Sequence, residues 1–437
     1  MKPRDLLYTA RDVLREMLRF DAAADAVLSR LFRAKPQLGK SDRQILADTV
    51  YQVLRHLRLF QTLAAGDEEI GGAMEVRLAI LGWSGNAQSL HEALTPEQLA
   101  WRKRVLAQDA MALPEAVRWS LPEWLAAALQ AHYGAEYPAL AQSLLRPASL
   151  DLRVNVQKAR REAVLDVFAR LNLPARATPY SPWGIRLEGK PALQDLTVFR
   201  EGWVEVQDEG SQLLPLLLAP RRGEMVVDFC AGAGGKTLAL GAMMRGTGRL
   251  YAFDVADYRL AKLKPRLLRS GLSNVYPVAI AHERDERVKR LAGKVDRVLV
   301  DAPCSGLGTL RRNPDMKWRQ KPEDVAELAT KQASILQAAA TLVKPGGRLV
   351  YATCSVLPEE NGAIVNAFLT EHPEFERVPA DSVLRQLGVE GDDLVTQGDL
   401  QLLPNRHATD GFYAAVLQRR ASSSRAADGD ANAAIAN

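Results

Sequence analysis

The stretch Met225-Val226-Val227-Asp228-Phe229-Cys230-Ala231-Gly232-Ala233-Gly234-Gly235-Lys236-Thr237 sets the fold class. Its apolar start, Met225 to Phe229, has the length of a buried strand and breaks into small residues before a helical pattern resumes. Small residues at a strand's carboxyl end let backbone approach a ligand closely, as happens where an open α/β sheet binds a cofactor. Further on, the apolar runs Leu250 to Phe253, Val275 to Ile280, Val298 to Val300 and Leu349 to Tyr351 alternate with helical stretches such as Arg259 to Leu267 and Asp324 to Leu342. That alternation predicts an α/β Rossmann-like domain over 213–420, doubly wound on a mostly parallel sheet.

Three ligands compete for the glycine loop. The dinucleotide pattern G-x-G-x-x-G fails because Thr237 takes its third glycine position, and the phosphate loop G-x-x-x-x-G-K-[ST] fails at its first position, Cys230. The second miss is narrow, and Val298-Leu299-Val300-Asp301 resembles the strand-end acid that holds magnesium in such enzymes, so a P-loop NTPase stays a rival. Asp254 ends the second strand, 26 positions after Asp228, where a carboxylate accepts both ribose hydroxyls; as a bland alternative it caps the following helix. S-adenosylmethionine carries that ribose, and its sulfonium and amino groups prefer acidic neighbours to a phosphate-binding lysine.

A chain of 437 residues implies several domains, and 47% hydrophobic with 25% charged residues lets each bury a core. No run of about 18 apolar residues occurs, so no membrane association is expected and the cytoplasm is. Cys230, Cys304 and Cys354 are too few and too scattered for a disulfide framework or a metal site, and read as reduced thiols. Residues 1–65 hold 12 Lys/Arg against 7 Asp/Glu, which matches the whole chain's +5, so the remainder sums to zero. Apolar residues there recur at three- and four-residue intervals, predicting amphipathic helices whose charge suits a polyanionic partner such as nucleic acid, with plain solvated helix faces as the alternative. The helical pattern runs to 145, a small α+β (RRM-like) unit is expected over 146–212, and the Ala/Ser/Asp-rich tail 421–437 is expected to be disordered.

Two cysteines follow two later strands, in Asp301-Ala302-Pro303-Cys304-Ser305 and Tyr351-Ala352-Thr353-Cys354-Ser355, so both thiols converge on the cofactor crevice. A lone strand-end cysteine is usually a small buried hydrophobe; two at one crevice point to chemistry. Methylation of an unreactive pyrimidine carbon uses such a pair: one thiolate adds to carbon 6 of cytosine, carbon 5 then attacks a sulfonium methyl, and a second group removes the carbon 5 proton. Asp301 is placed to bond ring nitrogen 3, and Lys236 to lower a thiol pKa or steady the ring. The loop Leu310-Arg311-Arg312-Asn313-Pro314-Asp315-Met316-Lys317-Trp318 mixes cations with an aromatic, as phosphate contact and base stacking require; a solvated loop is the alternative.

With these residues in place, the chain from about Pro147 to Gln418 resembles the Nol/Nop/Sun family of RNA cytosine-5 methyltransferases. The resemblance rests on Val206-Gln207-Asp208-Glu209-Gly210-Ser211-Gln212, the glycine loop, Asp254 with Arg259-Leu260, the Pro303-Cys304 and Thr353-Cys354 pairs, Glu359-Glu360-Asn361 and Asp410-Gly411-Phe412-Tyr413. It implies that Cys354 is the nucleophile and that Cys304 assists proton removal and release. It also implies that Cys230, Ala231, Gly232, Ala233, Gly234, Gly235, Lys236, Asp254, Arg259 and Asp301 contact S-adenosylmethionine. Two departures stand out: Ala233 replaces a common proline, and where many members carry an acid after the third strand this chain offers His282, with Asp285 as a substitute. The N-terminal helices, through Lys40-Ser41-Asp42-Arg43-Gln44-Ile45 and Tyr51-Gln52-Val53-Leu54-Arg55, resemble the NusB-like RNA-binding domain. That pairing is similar to bacterial subfamily B, implying 16S ribosomal RNA as substrate, with transfer RNA or 23S ribosomal RNA as alternatives. A non-catalytic RNA-binding protein on the same fold is the reading from another class.

Overall fold

The computed structural model describes residues 1–65 and 73–421; most of the tail expected to be disordered lies outside them. The α/β domain is built on strands β5 (Met225–Asp228), β6 (Arg249–Asp254), β7 (Val275–Ala279), β8 (Val295–Asp301) and β9 (Val343–Thr353), followed by β10 (Phe375–Val378), β11 (Val395–Thr396), β12 (Asp399–Leu402) and β13 (Phe412–Arg419). They form one sheet in the order β11-β12-β13-β9-β8-β5-β6-β7, with β10 on β13. The expected parallel pairing holds from β7 to β9, but β10 to β13 pair antiparallel, so the sheet is mixed rather than mostly parallel. The central strands are apolar on both faces, since each face is covered. Val227, Val298, Val300 and Tyr351 face one core, and Val226, Leu299 and Val350 the other, with the two-residue period of the pleat.

The small domain is a four-stranded antiparallel sheet made of β1 (Leu150–Val154), β2 (Ala175–Ala177), β3 (Gly184–Leu187) and β4 (Val204–Val206), in the order β2-β3-β1-β4. With the helices Arg161–Arg170 and Thr197–Arg200 it reads βαββαβ, the ferredoxin-like order. Its boundary is stitched by the 206–212 block. Buried Glu209 accepts from the Tyr180 and Ser181 amides at 2.6 and 2.8 Å, and Gln212 accepts from the Ser181 hydroxyl at 2.7 Å. That block is therefore a joint, and the expected boundary at 212 falls inside the helix Glu209–Leu218.

Ahead of these lies the helical part. Its helices bury one core from Leu6 to Val105. The later helices Glu123–Tyr133 and Tyr137–Leu144 do not join it: Leu121, Leu125, Leu129 and Leu140 pack with Leu307, Leu310, Val356 and Leu403 of the α/β domain. The core boundary thus falls well before residue 145, because an amphipathic helix pattern gives the width of an apolar face and not its partner. No helix among the described residues is long and apolar enough to cross a membrane.

Candidate active site

Parallel pairing brings Asp228, Asp254, Asp301 and Thr353 to one edge of the sheet, and chain order reverses on either side of β5, the switch point where such sheets open a crevice. A cleft of about 700 Å³ lies there, lined by the glycine loop, Asp254, Arg259, Asp301, Cys304 and Cys354.

The loop is held open by its own geometry. Gly234 has φ +80°, and a Cβ there would sit 2.2 Å from Leu263 Cδ1, so only glycine fits. Asp254 accepts from the Gly232 amide and the Ala256 amide, both at 2.7 Å, while still lining the cleft. It steadies the loop rather than capping a helix, whose N-cap is Ala256. Arg266, which sequence reading missed, pins the Ala233 carbonyl at 2.5 Å and pairs with Glu205 of the small domain. Asp228 accepts from Thr237 Oγ1 at 2.6 Å, whereas its buried Oδ1 has no hydrogen-bond partner among the described residues. Burial pushes the Asp228 carboxyl up to about 7.

Lys236 Nζ donates to Asp301 Oδ2 at 2.6 Å. Burial alone would lower the ammonium, but Asp301 outweighs it and the pKa is raised, so this lysine is a committed cation. The two cysteine sulfurs are 3.3 Å apart. The bond to Cys354, with burial and the nearby Glu360 charge, pushes the Cys304 thiol well above its usual range. Cys230 is raised too, by burial and then by Asp228, Asp301 and Asp254, which makes it an inert wall.

The two cysteine loops are locked together by Glu360. Fully buried, it accepts from the Ser305 amide at 2.8 Å, from the Ser305 hydroxyl at 2.5 Å and from Gln332 Nε2 at 3.0 Å. Asn361 accepts from Thr353 Oγ1 and donates to the Ser355 carbonyl, gripping Cys354 from both sides. Gly308 donates to the Cys354 carbonyl at 2.9 Å, and a Cβ on it would collide with the Gly411 carbonyl at 2.2 Å. The Glu359-Glu360-Asn361 and Asp410-Gly411 blocks hence act through backbone placement, and Gln332, mid-helix, gave no signal in sequence.

Two sequence expectations are corrected here. His282 is exposed and, among the described residues, its ring bonds within its own turn, accepting from the Arg284 amide, and Asp285 caps the helix Glu286–Lys289; the acid lining the cleft after β7 is Glu283. The loop 310–318 is not a free RNA-contact loop. Arg312 is taken by Asp208 and Asp410 at 2.8 and 2.6 Å, Lys317 is buried on the Arg55 carbonyl, and Trp318 donates to the Leu54 carbonyl. Cations and an aromatic serve a domain joint as well as they serve RNA, and composition cannot separate the two.

Residues 215–418 match the family described as 16S rRNA methyltransferase RsmB/F, and residues 121–194 match the ferredoxin-like domain of RsmF/B-like methyltransferases. The chain is similar to the probable ribosomal RNA small subunit methyltransferase B of Synechocystis, at 34% identity over 93% of this chain and 98% of that one. It is also similar to the probable enzyme of the same name in Bacillus subtilis, at 34% identity over 89% and 86%. A solved methyltransferase homolog protein from Pyrococcus horikoshii superposes with a TM-score of 0.62 at 25% identity, covering 71% of this chain and all of that one.

Proposed function

Because the chain belongs to the RsmB/F family of ribosomal RNA small subunit methyltransferases, we propose that it methylates carbon 5 of a cytosine in 16S ribosomal RNA, through a covalent bond between Cys354 and carbon 6. The observation that carries this reading is the 3.3 Å pair of sulfurs at the strand ends, beside the Lys236–Asp301 ion pair.

The residues present fit S-adenosylmethionine. Asp228, Asp254, Asp301 and Glu283 make the cleft acidic, and the unpartnered Asp228 Oδ1 suits an ammonium group. Asp254 suits a ribose, and Glu283 the adenine side. A triphosphate would meet these acids with Lys236 already committed to Asp301, which disfavours the P-loop alternative. The cofactor supplies an electrophilic methyl group on a sulfonium.

The residues of this chain divide the remaining work. Cys354, as the thiolate, adds to carbon 6 while the Lys236 ammonium, held by Asp301, donates to the ring and takes up electron density. Carbon 5 then takes the methyl group. Once Cys354 has become a thioether, Cys304 gives its own proton to solvent and acts as the base that takes the carbon 5 proton. Loss of that proton expels Cys354 and restores the ring. The N-terminal helices, with their excess of cations, recruit the RNA. Bisulfite sequencing of ribosomal and transfer RNA from cells with and without this protein tests the reading: one lost 5-methylcytosine in 16S ribosomal RNA is expected, and an unchanged methylation pattern refutes it.

A further inference from the structure

The segment from Gly306 to Arg319 has one side in the cleft and the other in the helical domain. Gly306, Thr309, Asn313 and Met316 line the cleft. The next residue, Lys317, donates from Nζ to the Arg55 carbonyl at 2.8 Å, and Trp318 Nε1 donates to the Leu54 carbonyl at 2.8 Å. These carbonyls end the helix Lys40–Arg55, where the last turn's carbonyls lack intrahelical N–H donors and carry the negative end of the dipole. Arg55 answers by donating to the Arg311 carbonyl at 2.7 Å.

The line of contact reaches the thiols. Met316 and Lys317 share the single turn Met316–Arg319, so one cannot shift without the other. The Met316 tip lies over Gly306, close enough that a Cβ there would be 2.2 Å from Met316 Cε, and Gly306 is two residues from Cys304. The same segment is clamped behind by Arg312 on Asp208 and Asp410.

Lys317 is an expensive way to fill this space. The residue is 3% exposed, its one hydrogen-bond partner among the described residues is a neutral carbonyl, and its Nζ lies 5.0 Å from the Trp318 ring centroid. A methionine would fill a similar volume without desolvating a charge, which makes the lysine weak as a stabiliser and strong as a registry pin. We infer that Lys317 is a positioning residue that transmits the seating of the N-terminal helical domain to the wall of the cleft beside Cys304. Engagement of RNA by that domain and alignment of the target base are thereby coupled. The inference rests on the RNA methyltransferase reading above.

Full-length Lys317→Met and Trp318→Phe test it. The second keeps an aromatic ring at the joint but removes the indole N–H together with the five-membered ring, so it decides the matter if the first aggregates. A melting temperature within about 3 °C of wild type or higher is expected for both. Turnover on small-subunit ribosomal RNA should fall roughly tenfold while the KM for RNA and the calorimetric affinity for S-adenosylmethionine stay within about twofold, the split that misplacement produces. Amide hydrogen exchange, which needs no activity, should quicken in Gly306 to Met316 and not in β8. Unchanged turnover in both variants overturns the inference, as does a loss that merely tracks melting temperature or cofactor affinity. If wild-type enzyme methylates no RNA, the functional reading fails instead, and the exchange measurement alone decides: unaltered exchange in 306–316 overturns the coupling.

Discussion

Cys304 Sγ and Cys354 Sγ lie 3.3 Å apart, although 50 positions separate them in the chain. Parallel pairing of β8 with β9, register Asp301 to Ala352, brings the two loops level, and Glu360 and Gln332 lock them. The contact makes the two thiols one unit at the strand ends.

If Cys354 adds to carbon 6, Cys354→Ala abolishes methyl transfer and forms no RNA adduct. Cys304→Ala still attacks and methylates but stalls before elimination, losing roughly 10²–10⁴-fold in turnover. A denaturing gel with substrate RNA and cofactor should show a retarded band for Cys304→Ala alone. The band in Cys354→Ala would reverse the roles.

Asp254→Ala should weaken S-adenosylmethionine binding by about 1–3 kcal/mol, since it removes charge-assisted hydrogen bonds to ribose and loosens the Gly232 turn. Calorimetry reads the affinity; an unchanged value would refute the ribose assignment.

The acid after β7 gives a paired comparison. Glu283→Gln should cost about 1 kcal/mol of cofactor affinity, while His282→Ala, at an exposed position outside the cleft lining, should stay within about 0.5 kcal/mol. The opposite ranking would return the role to His282.

Removing residues 1–140 strips Leu121, Leu125, Leu129 and Leu140 from a core shared with Leu307 and Leu310. At about 1.5–3 kcal/mol for each buried side chain, the loss rivals the whole stability of a domain, and aggregated protein is expected. Soluble, cofactor-binding protein from this truncation would show that the two helices are dispensable.

His56 packs beside the domain joint, and burial, then repulsion from Lys317 and Arg55, lowers it from 6.5 to about 4. The unfolded chain therefore takes up a proton that the native one refuses, so stability falls as pH drops from about 6.5 and levels off near 4, by on the order of 3 kcal/mol. Melting scans between pH 7 and pH 4 should show a shallower decline for His56→Gln. An identical decline would assign the acid sensitivity to other groups.

Local chemistry alone determined much of this molecule: the glycine loop after β5, the apolar runs of the parallel strands, the two thiols at strand ends and Asp254. Those signals are short-range, because strand period, small residues at a close approach and a carboxylate at a strand end each follow from neighbours in the chain. Tertiary packing decided the rest. Whether Arg312, Lys317 and Trp318 meet RNA or another domain depends on groups such as Asp410 and Arg55, 98 and 262 positions from their partners. The antiparallel pairing of β13 with β9, the seating of Leu121 to Leu144 on the α/β core, and the choice of Glu283 over His282 are likewise matters of which face meets which neighbour. A side chain's type limits what it can bond, but only the fold determines which bonding group comes within 3 Å of it.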